Sequence, residues 1–259
     1  MRKEMITGIF ILLLLLLCGC EDFAQADPDQ AVVEGFLHAN RTAEIKVNRQ
    51  LVFSGGDTTF SQPLSMLHIT FVNESTGKSE TLVETEAGVY CSQQLIAEEN
   101  TYTLSFEYAG KNVRAQTTVP SHVTGFEADG NALLHTERFS EDTLRYVNYH
   151  WENEYNDFHL MQITHMESWV KPIYNTAYTP SFTITSSPTQ DTTFQVNSRG
   201  FHYYGRHYMI LYKLNQEYVD LYYENSSNSQ HLTNPPTNIQ NGFGIFTGMS
   251  SDTLLLQIL

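Results

Sequence analysis

The sequence predicts a mostly β protein: an N-terminal immunoglobulin-like β-sandwich, then a second β-rich domain, sandwich-like or barrel-like, with one short helix. Three observations predict this fold class. Many short runs alternate apolar and polar residues, as half-buried strands do. Turn-forming stretches such as SGGD and STGK separate these runs at sandwich-like spacing. Only 17% of residues are charged and 12% are aromatic, which is typical of folded β-rich proteins and not of disordered chains.

The head of the chain is a short apolar run after a basic start. Arg2 and Lys3 precede Ile6–Leu17. The run has about 12 residues, the length of a signal-peptide core, whereas a membrane-spanning helix needs about 20. The length therefore favours an export signal over a membrane span.

The run ends at a site that resembles the bacterial lipobox. The order Leu17-Cys18-Gly19-Cys20 gives an aliphatic residue, two small residues and a cysteine. The resemblance implies that residues 1–19 are a lipoprotein signal peptide and that acylated Cys20 anchors the protein to a membrane. The alternative is a plain Cys20 thiol near the cleavage site of a soluble protein.

Residues 20–30 are acidic and small, and are predicted to form a tether. Glu21 and Asp22 directly follow the predicted lipid site. This cluster resembles the export signal of surface lipoproteins in Bacteroidota, and a solvated acidic tether is the equal alternative. The expected location is the outer membrane, lipid-anchored, at the cell surface.

Charge and cysteine content exclude several classes of function. The net charge of −15 argues against nucleic acid as a partner and against adsorption to anionic lipid. Of the three cysteines, Cys18 would be removed and Cys20 acylated, so Cys91 remains. No intramolecular disulfide and no C-x-x-C site can then form. Cys91 itself is predicted to be a small buried residue of a strand.

Residues 31–120 are predicted to form the first sandwich, with about seven strands that Pro120 closes. The clearest strand is TYTLSFEYAG, in which one face carries Tyr102, Leu104, Phe106 and Tyr108.

Residues 124–259 are predicted to form the second domain. Only Tyr90, Tyr102 and Tyr108 of the 15 tyrosines precede it. A short helix is predicted near residues 215–225, with Asn215 as N-cap and one stripe formed by Leu214, Tyr218, Leu221 and Tyr222. The predicted strands are 143–151, 158–167, 181–186, 192–197, 201–204, 206–213 and 253–258.

Two stretches carry a resemblance to a known family. AVVEGFLHA (31–39) resembles the opening strand, and NPPTNIQNGFGIFTG (234–248) the closing signature, of a Bacteroidota lipoprotein family catalogued as domain of unknown function 4249. Members are typically encoded beside TonB-dependent outer-membrane receptors, which implies an accessory role at the outer membrane. The resemblance supplies no catalytic residue, and no cofactor is predicted.

The glycines of the closing stretch have a structural interpretation. Glycine in a strand marks a bulge or a close approach of another backbone. The spacing of Gly242, Gly244 and Gly248 does not suit a phosphate-binding loop, which needs a different pattern and a following helix.

Four short matches resemble the O-glycosylation signal of exported Bacteroidota proteins. Each is an Asp-Thr pair followed by Thr or Leu, which makes candidate acceptors of Thr58, Thr143, Thr192 and Thr253. The alternative is the ordinary use of Asp-Thr at turns and strand starts.

Histidines and carboxylates are numerous in the second domain but lack catalytic or metal-binding spacing. The five histidines, His150, His159, His165, His202 and His207, are spread over four predicted strands, so no metal site is expected. Glu152, Glu154 and Asp157 are predicted to form a solvated turn, with a glycosidase pair or a calcium loop as alternatives.

The aromatic residues leave two interpretations open. Trp151, Trp169, Tyr203, Tyr204 and Tyr208 would either fill the core, which is favoured, or form a stacking platform for a ligand. The leading expectation is a non-enzymatic accessory of a TonB-dependent receptor. The alternatives are a stand-alone glycan- or peptide-binding surface lipoprotein and, less favoured, a hydrolase.

Overall fold

The computed structural model describes residues 29–50, 62–135, 145–174, 181–227 and 236–259. Within these ranges the chain is mostly β with one short α-helix, which confirms the predicted fold class. The predictions that concern Cys20, Thr58 and Thr143 lie outside the described residues.

The first half of the chain forms strands of two to eight residues. Buried and more exposed positions alternate along three of the four eight-residue strands, as the sequence pattern predicts. The strands are β1 (Ala31–His38), β2 (Thr42–Arg49), β3 (Gln62–Pro63), β4 (Thr70–Asn73), β5 (Lys78–Thr81), β6 (Val83–Glu86), β7 (Val89–Leu95), β8 (Thr101–Tyr108) and β9 (Lys111–Thr118).

The second half adds nine strands within the described ranges, a 3₁₀ turn at Ser198–Gly200 and helix α1 at Gln216–Ser227. The predicted strands 201–204 and 206–213 are one strand, which continues through Gly205. The strands are β10 (Glu127–Ala128), β11 (Ala132–Leu133), β12 (Tyr146–His150), β13 (Phe158–His165), β14 (Lys171–Pro172), β15 (Thr183–Thr185), β16 (Thr193–Asn197), β17 (Tyr203–Leu214) and β18 (Gly242–Ile258).

One large sheet runs through both halves of the molecule. Its main path is β15-β13-β17-β18-β1-β2-β7-β6. The four-stranded sheet β5-β4-β8-β9 packs on its β1-β2-β7 end and encloses the first core. The three-stranded sheet β10-β12-β16 packs on its β13-β17-β18 end and encloses the second core. The result is two sandwiches that share a continuous sheet.

Strand β18 belongs to both sandwiches. Its first half pairs in parallel with β1, from Ala31–Gly242 to His38–Met249, and its second half pairs with β17. Phe246 lies in the first core and Leu256 in the second. The sequence placed all of residues 124–259 in the second domain, whereas Ile239 and Phe246 pack in the first core. The cause of this difference is the parallel pairing of β18 with β1, which brings the end of the chain into the first sandwich.

Glycine is required where β18 passes other backbone. Gly244 has φ +101°, and a Cβ there would overlap the carbonyl oxygen of Val33. A Cβ at Gly248 would lie 2.7 Å from Cα of Val119. The structural interpretation of the glycine-rich stretch is therefore confirmed: these residues permit close backbone approach.

Helix α1 begins after Asn215, the residue predicted to cap it, but that side chain has a different role. Its Nδ2 donates to the Thr117 hydroxyl and to the Thr118 carbonyl, so it ties the helix start to β9. The buried helix residue in the small core of Leu160, Leu214 and Met249 is Val219, which the predicted stripe omitted. Cys91, predicted to be buried, is partly exposed on β7.

Candidate functional site

The outer face of the large sheet carries an open groove beside helix α1. The groove has a volume of about 300 Å³, and we call it the outer-face groove. Because successive strand residues point to opposite faces, alternate residues of β1 and β2 point away from the first core and line it. Its main lining residues are Glu34, Phe36, His38, Arg41, Glu44 and Lys46.

Aromatic pairs connect the groove to the helix side. The Phe36 ring meets Tyr218 of α1 edge-on, with centroids 6.2 Å apart. The His38 ring meets Tyr212 of β17 in the same way at 6.0 Å. Such edge-to-face pairs add about 0.5–1.5 kcal/mol to simple burial. One side of the groove is therefore a packed aromatic wall.

The rest of the lining carries charges of both signs. Glu34 lies opposite Lys46 in the β1–β2 register, and Lys46 Nζ lies 3.6 Å from Glu44 Oε1. Burial, with Arg41 as the second cause, lowers the pKa of His38, so its ring is neutral at pH 7. Burial also raises the pKa of Tyr212 and of Tyr218. A neutral aromatic wall beside an edge that carries both positive and negative side chains suits recognition of a polypeptide segment.

A hydrogen-bond network holds helix α1 at this position. Thr117, buried in β9, donates to Glu217 Oε1 at 2.6 Å and accepts the Gly248 N–H at 3.0 Å. Asn215 Nδ2 donates to both Thr117 and Glu217. Three separate segments thus meet at one hydroxyl, which fixes the helix against the shared strand.

Sequence reasoning did not find this groove. Alternation predicts that Glu34, Phe36 and His38 share a face, but it does not show that a helix more than 170 residues later packs beside them. That placement depends on the β1–β18 pairing, which is non-local.

The predicted aromatic set does not form one platform. Trp151 and Tyr203 are buried at 4% exposure, which confirms the core interpretation for these two residues. Tyr204 is half-buried under the Lys171 ammonium group, 4.7 Å from the ring centre. Trp169 is 83% exposed and Tyr208 39%, so the core interpretation is wrong for both.

Three of the five histidines singled out in the sequence are buried strand residues: His159, His165 and His207. Burial lowers the pKa of His159 and of His207 to about 4 in each case. The described residues hold no group of three or more His, Cys, Asp or Glu side chains that could bind a metal.

The acidic stretch after β12 is a turn, as predicted. Asn153 Oδ1 accepts the Asp157 N–H at 2.8 Å, and Asp157 pairs with Lys213 at 2.7 Å. Glu154 lies within this turn, and Glu152 directly precedes it. Asp157 therefore holds the turn to β17, the role of a structural carboxylate.

Two candidate glycosylation sites are described. Thr192 is exposed in a bend before β16, and Thr253 is exposed within β18. Both hydroxyls are on the surface, and their modification stays a prediction.

Comparison with known protein families gives a match over most of the chain. The model of the family described as "Domain of unknown function (DUF4249)" matches residues 21–254. No curated protein matches the chain. No helix among the described residues has the length and apolar character needed to cross a membrane.

Two solved structures are similar over most of the chain but only distantly. A two-domain fibronectin type III segment of chicken tenascin is 14% identical, with 88% of this chain and 99% of that chain covered and a TM-score of 0.26. The chicken CNTN1 FN1–FN3 domains are 10% identical, with 88% and 64% covered and a TM-score of 0.30. Scores this low carry no argument about function.

Proposed function

We propose, from the premise that the chain belongs to the family described as "Domain of unknown function (DUF4249)", that it is a lipid-anchored, non-enzymatic binding protein of the outer membrane. It serves as an accessory of a TonB-dependent receptor in nutrient uptake. The anchor is Cys20, and the groove binds a polypeptide segment of the receptor.

The observation that carries the binding role is the outer-face groove. Its aromatic wall offers apolar contact area, and its Glu34, Arg41 and Lys46 side chains offer charged partners at the edge. Interfaces between proteins commonly combine an aromatic centre with a polar rim. Lipid attachment supports the same role, because an anchored protein meets a membrane partner at high effective concentration.

The anchor is tested by Cys20→Ala. An acyl chain contributes about 0.8 kcal/mol per buried methylene, so its loss should move the protein from the membrane to the soluble fraction. Cell fractionation and immunoblotting measure this. A variant that stays in the membrane fraction would contradict the anchor.

The partner is tested by affinity pull-down from outer membranes solubilised in a mild detergent, with mass spectrometry. The wild type should bring down a TonB-dependent receptor in stoichiometric amount. The charge-reversing variant Arg41→Glu/Lys46→Glu should lose it. Lys78→Glu, a reversal on the opposite sheet, should keep it.

Each other outcome decides between the hypotheses. If the groove variant retains the receptor, the groove is not the contact. If the wild type emerges without a receptor, the accessory role fails, and the alternative of a stand-alone glycan- or peptide-binding surface lipoprotein takes its place.

A further inference from the structure

The outer face of the three-stranded sheet consists of hydrogen-bonding side chains. We call it the polar face. Strands β12 and β16 send Val147, Tyr149 and Val196 into the second core. The alternate positions point outward and contain no aliphatic residue: Tyr146, Asn148, His150, Thr193, Gln195 and Asn197.

The central row of this face is a hydrogen-bonded ladder that runs from β16 across β12 to Asp129, the residue after β10. Gln195 Nε2 donates to Asn148 Oδ1 at 2.7 Å, and Asn148 Nδ2 donates to Asp129 Oδ2 at 2.6 Å. The Asn148 backbone N–H donates to the other carboxylate oxygen, Asp129 Oδ1, at 2.8 Å. The ladder therefore ends on a carboxylate that is held at both oxygens.

The Asp129 carboxylate at the end of the ladder fixes the orientation of the Asn148 and Gln195 side-chain amides. An ionised carboxylate only accepts, so Asn148 must turn its NH₂ group to Asp129 and its oxygen to Gln195. Gln195 must then turn its NH₂ group to Asn148. Bonds to Asn148 lower the pKa of Asp129, which keeps the carboxylate ionised. The ladder leaves one N–H donor on each amide NH₂ group unused, and it leaves the Gln195 oxygen unused as an acceptor.

We propose that the polar face binds a neutral glycan chain. Sugar hydroxyls both donate and accept, and they match fixed donors and acceptors at a small entropic cost. Tyr146, 44% exposed at one end of β12, supplies a flat ring for the apolar face of a sugar. Three strands give a face about 10 Å wide, enough for a short run of sugar rings.

Charge and composition select this class of ligand. Glu127 and Asp129 lie on the face, and the chain carries a net charge of −15, which opposes an anionic polysaccharide. A protein partner would be expected to meet apolar or aromatic residues at the centre of its contact, where this face has amides.

The outer face of the large sheet, on the opposite side of this sandwich, shows that this composition is not simply the default for a solvated sheet. On β17 and β18, Tyr208 and Leu255 lie opposite each other and are 39% and 51% exposed. Ile210 lies two residues along the same strand. The two outer faces of one sandwich thus differ in composition, and the ladder from Gln195 to Asp129 belongs to the polar face.

Affinity gel electrophoresis of the detergent-solubilised full chain tests the proposal. The probes are dextran, galactomannan, xylan and mixed-linkage β-glucan, with polygalacturonate as the anionic comparison. At least one neutral polymer should retard the wild type. Gln195→Glu, which removes the donor to Asn148, and Tyr146→Ala should each weaken that retardation at least tenfold.

Matched controls come from the outer face of the large sheet, on the opposite side of the sandwich: Gln162→Glu and Tyr208→Ala should behave as wild type. The proposal is overturned if no neutral polymer retards the protein, if only polygalacturonate does, or if both face variants bind normally. The proposal is also overturned if Trp169→Ala loses binding while Gln195→Glu and Tyr146→Ala still bind as the wild type does. The assay needs neither anchor nor receptor, so this proposal and the accessory role fail separately.

Discussion

The two sandwiches share one sheet but bury different chemistry. The buried polar residues within the first sandwich are hydroxyls such as Ser92, whose Oγ accepts the Ala43 N–H and donates to the Gln94 carbonyl. The second sandwich buries three histidines, His159, His165 and His207. A hydroxyl stays neutral at any physiological pH. Burial lowers the pKa of a histidine, so its ring is neutral only while the pH stays above that lowered pKa. We therefore expect the stability of the second sandwich to depend more strongly on acid than that of the first, although the two have similar architecture.

The second core also has more unmet hydrogen bonds. Within the described residues, the Tyr149 hydroxyl, the Trp151 indole N–H and His165 Nδ1 are buried there without a hydrogen-bond partner. Each such group costs about 1–3 kcal/mol. We therefore expect the second sandwich to unfold more easily. Tryptophan fluorescence reports on it selectively, since both tryptophans, Trp151 and Trp169, belong to it.

The largest expected effect comes from disrupting the pairing of β18, the strand that the two sandwiches share. Gly244→Ala places a methyl group on the Val33 carbonyl and forces alanine to φ +101°. Loss of the β1–β18 pairing should cost more than about 4 kcal/mol in the free energy of unfolding. Urea unfolding, followed by circular dichroism and by fluorescence, should show both sandwiches destabilised.

A second glycine is the matched control. Gly77 also has positive φ, +69°, but nothing lies within 4 Å of the position its Cβ would take. Gly77→Ala should cost only about 1 kcal/mol. If Gly244→Ala is as mild, the close approach of the two backbones does not hold the regions together.

Acid should separate the two regions. Burial lowers the pKa of His159 and of His207 to about 4, from about 6.5 in the unfolded chain. Between these values the unfolded state binds protons that the native state excludes, so stability falls as the pH falls from 6.5 towards 4. By pH 4.5 the loss is about 2–3 kcal/mol per histidine.

The measurement is the urea midpoint by tryptophan fluorescence between pH 7.5 and 4.5. His207→Phe keeps an aromatic ring between Phe201 and His165 but does not titrate there. It should have a visibly shallower pH dependence than the wild type. An unchanged slope would mean that His207 is not a source of the acid sensitivity.

The same contrast marks what could be predicted from sequence. Alternation depends on nearest neighbours along the chain, so strands such as β8 and β13, and a helix after Asn215, could be predicted. Glycine spacing indicated close backbone approach but not the partner, because Val33 lies more than 200 residues earlier. The groove and the polar face depend on non-local pairing of that kind, and on which outward side chains meet across strands.

A smaller effect is expected at the contact between helix α1 and the first sandwich. Asn215→Ala removes the donors to Thr117 and Thr118 and should cost about 1–2 kcal/mol. Gln216→Ala, the next residue, removes only an exposed bond to Asp220 and should cost less than about 0.5 kcal/mol. If Asn215→Ala and Gln216→Ala lower the thermal stability equally, the contacts of Asn215 with β9 do not stabilise the protein.

The smallest effect concerns ion pairs, and it again distinguishes the regions. Lys46 and Glu44, on the outer face of the first sandwich, are 49% and 58% exposed and 3.6 Å apart. Lys213 and Asp157, in the second, are 13% and 33% exposed and 2.7 Å apart. Water screens the first pair, so Lys46→Met should change stability by less than about 0.5 kcal/mol. Lys213→Met leaves a half-buried carboxylate without its cation and should cost measurably more. Chemical denaturation of both variants in low and high salt tests this, since only the exposed pair should be removed by salt alone.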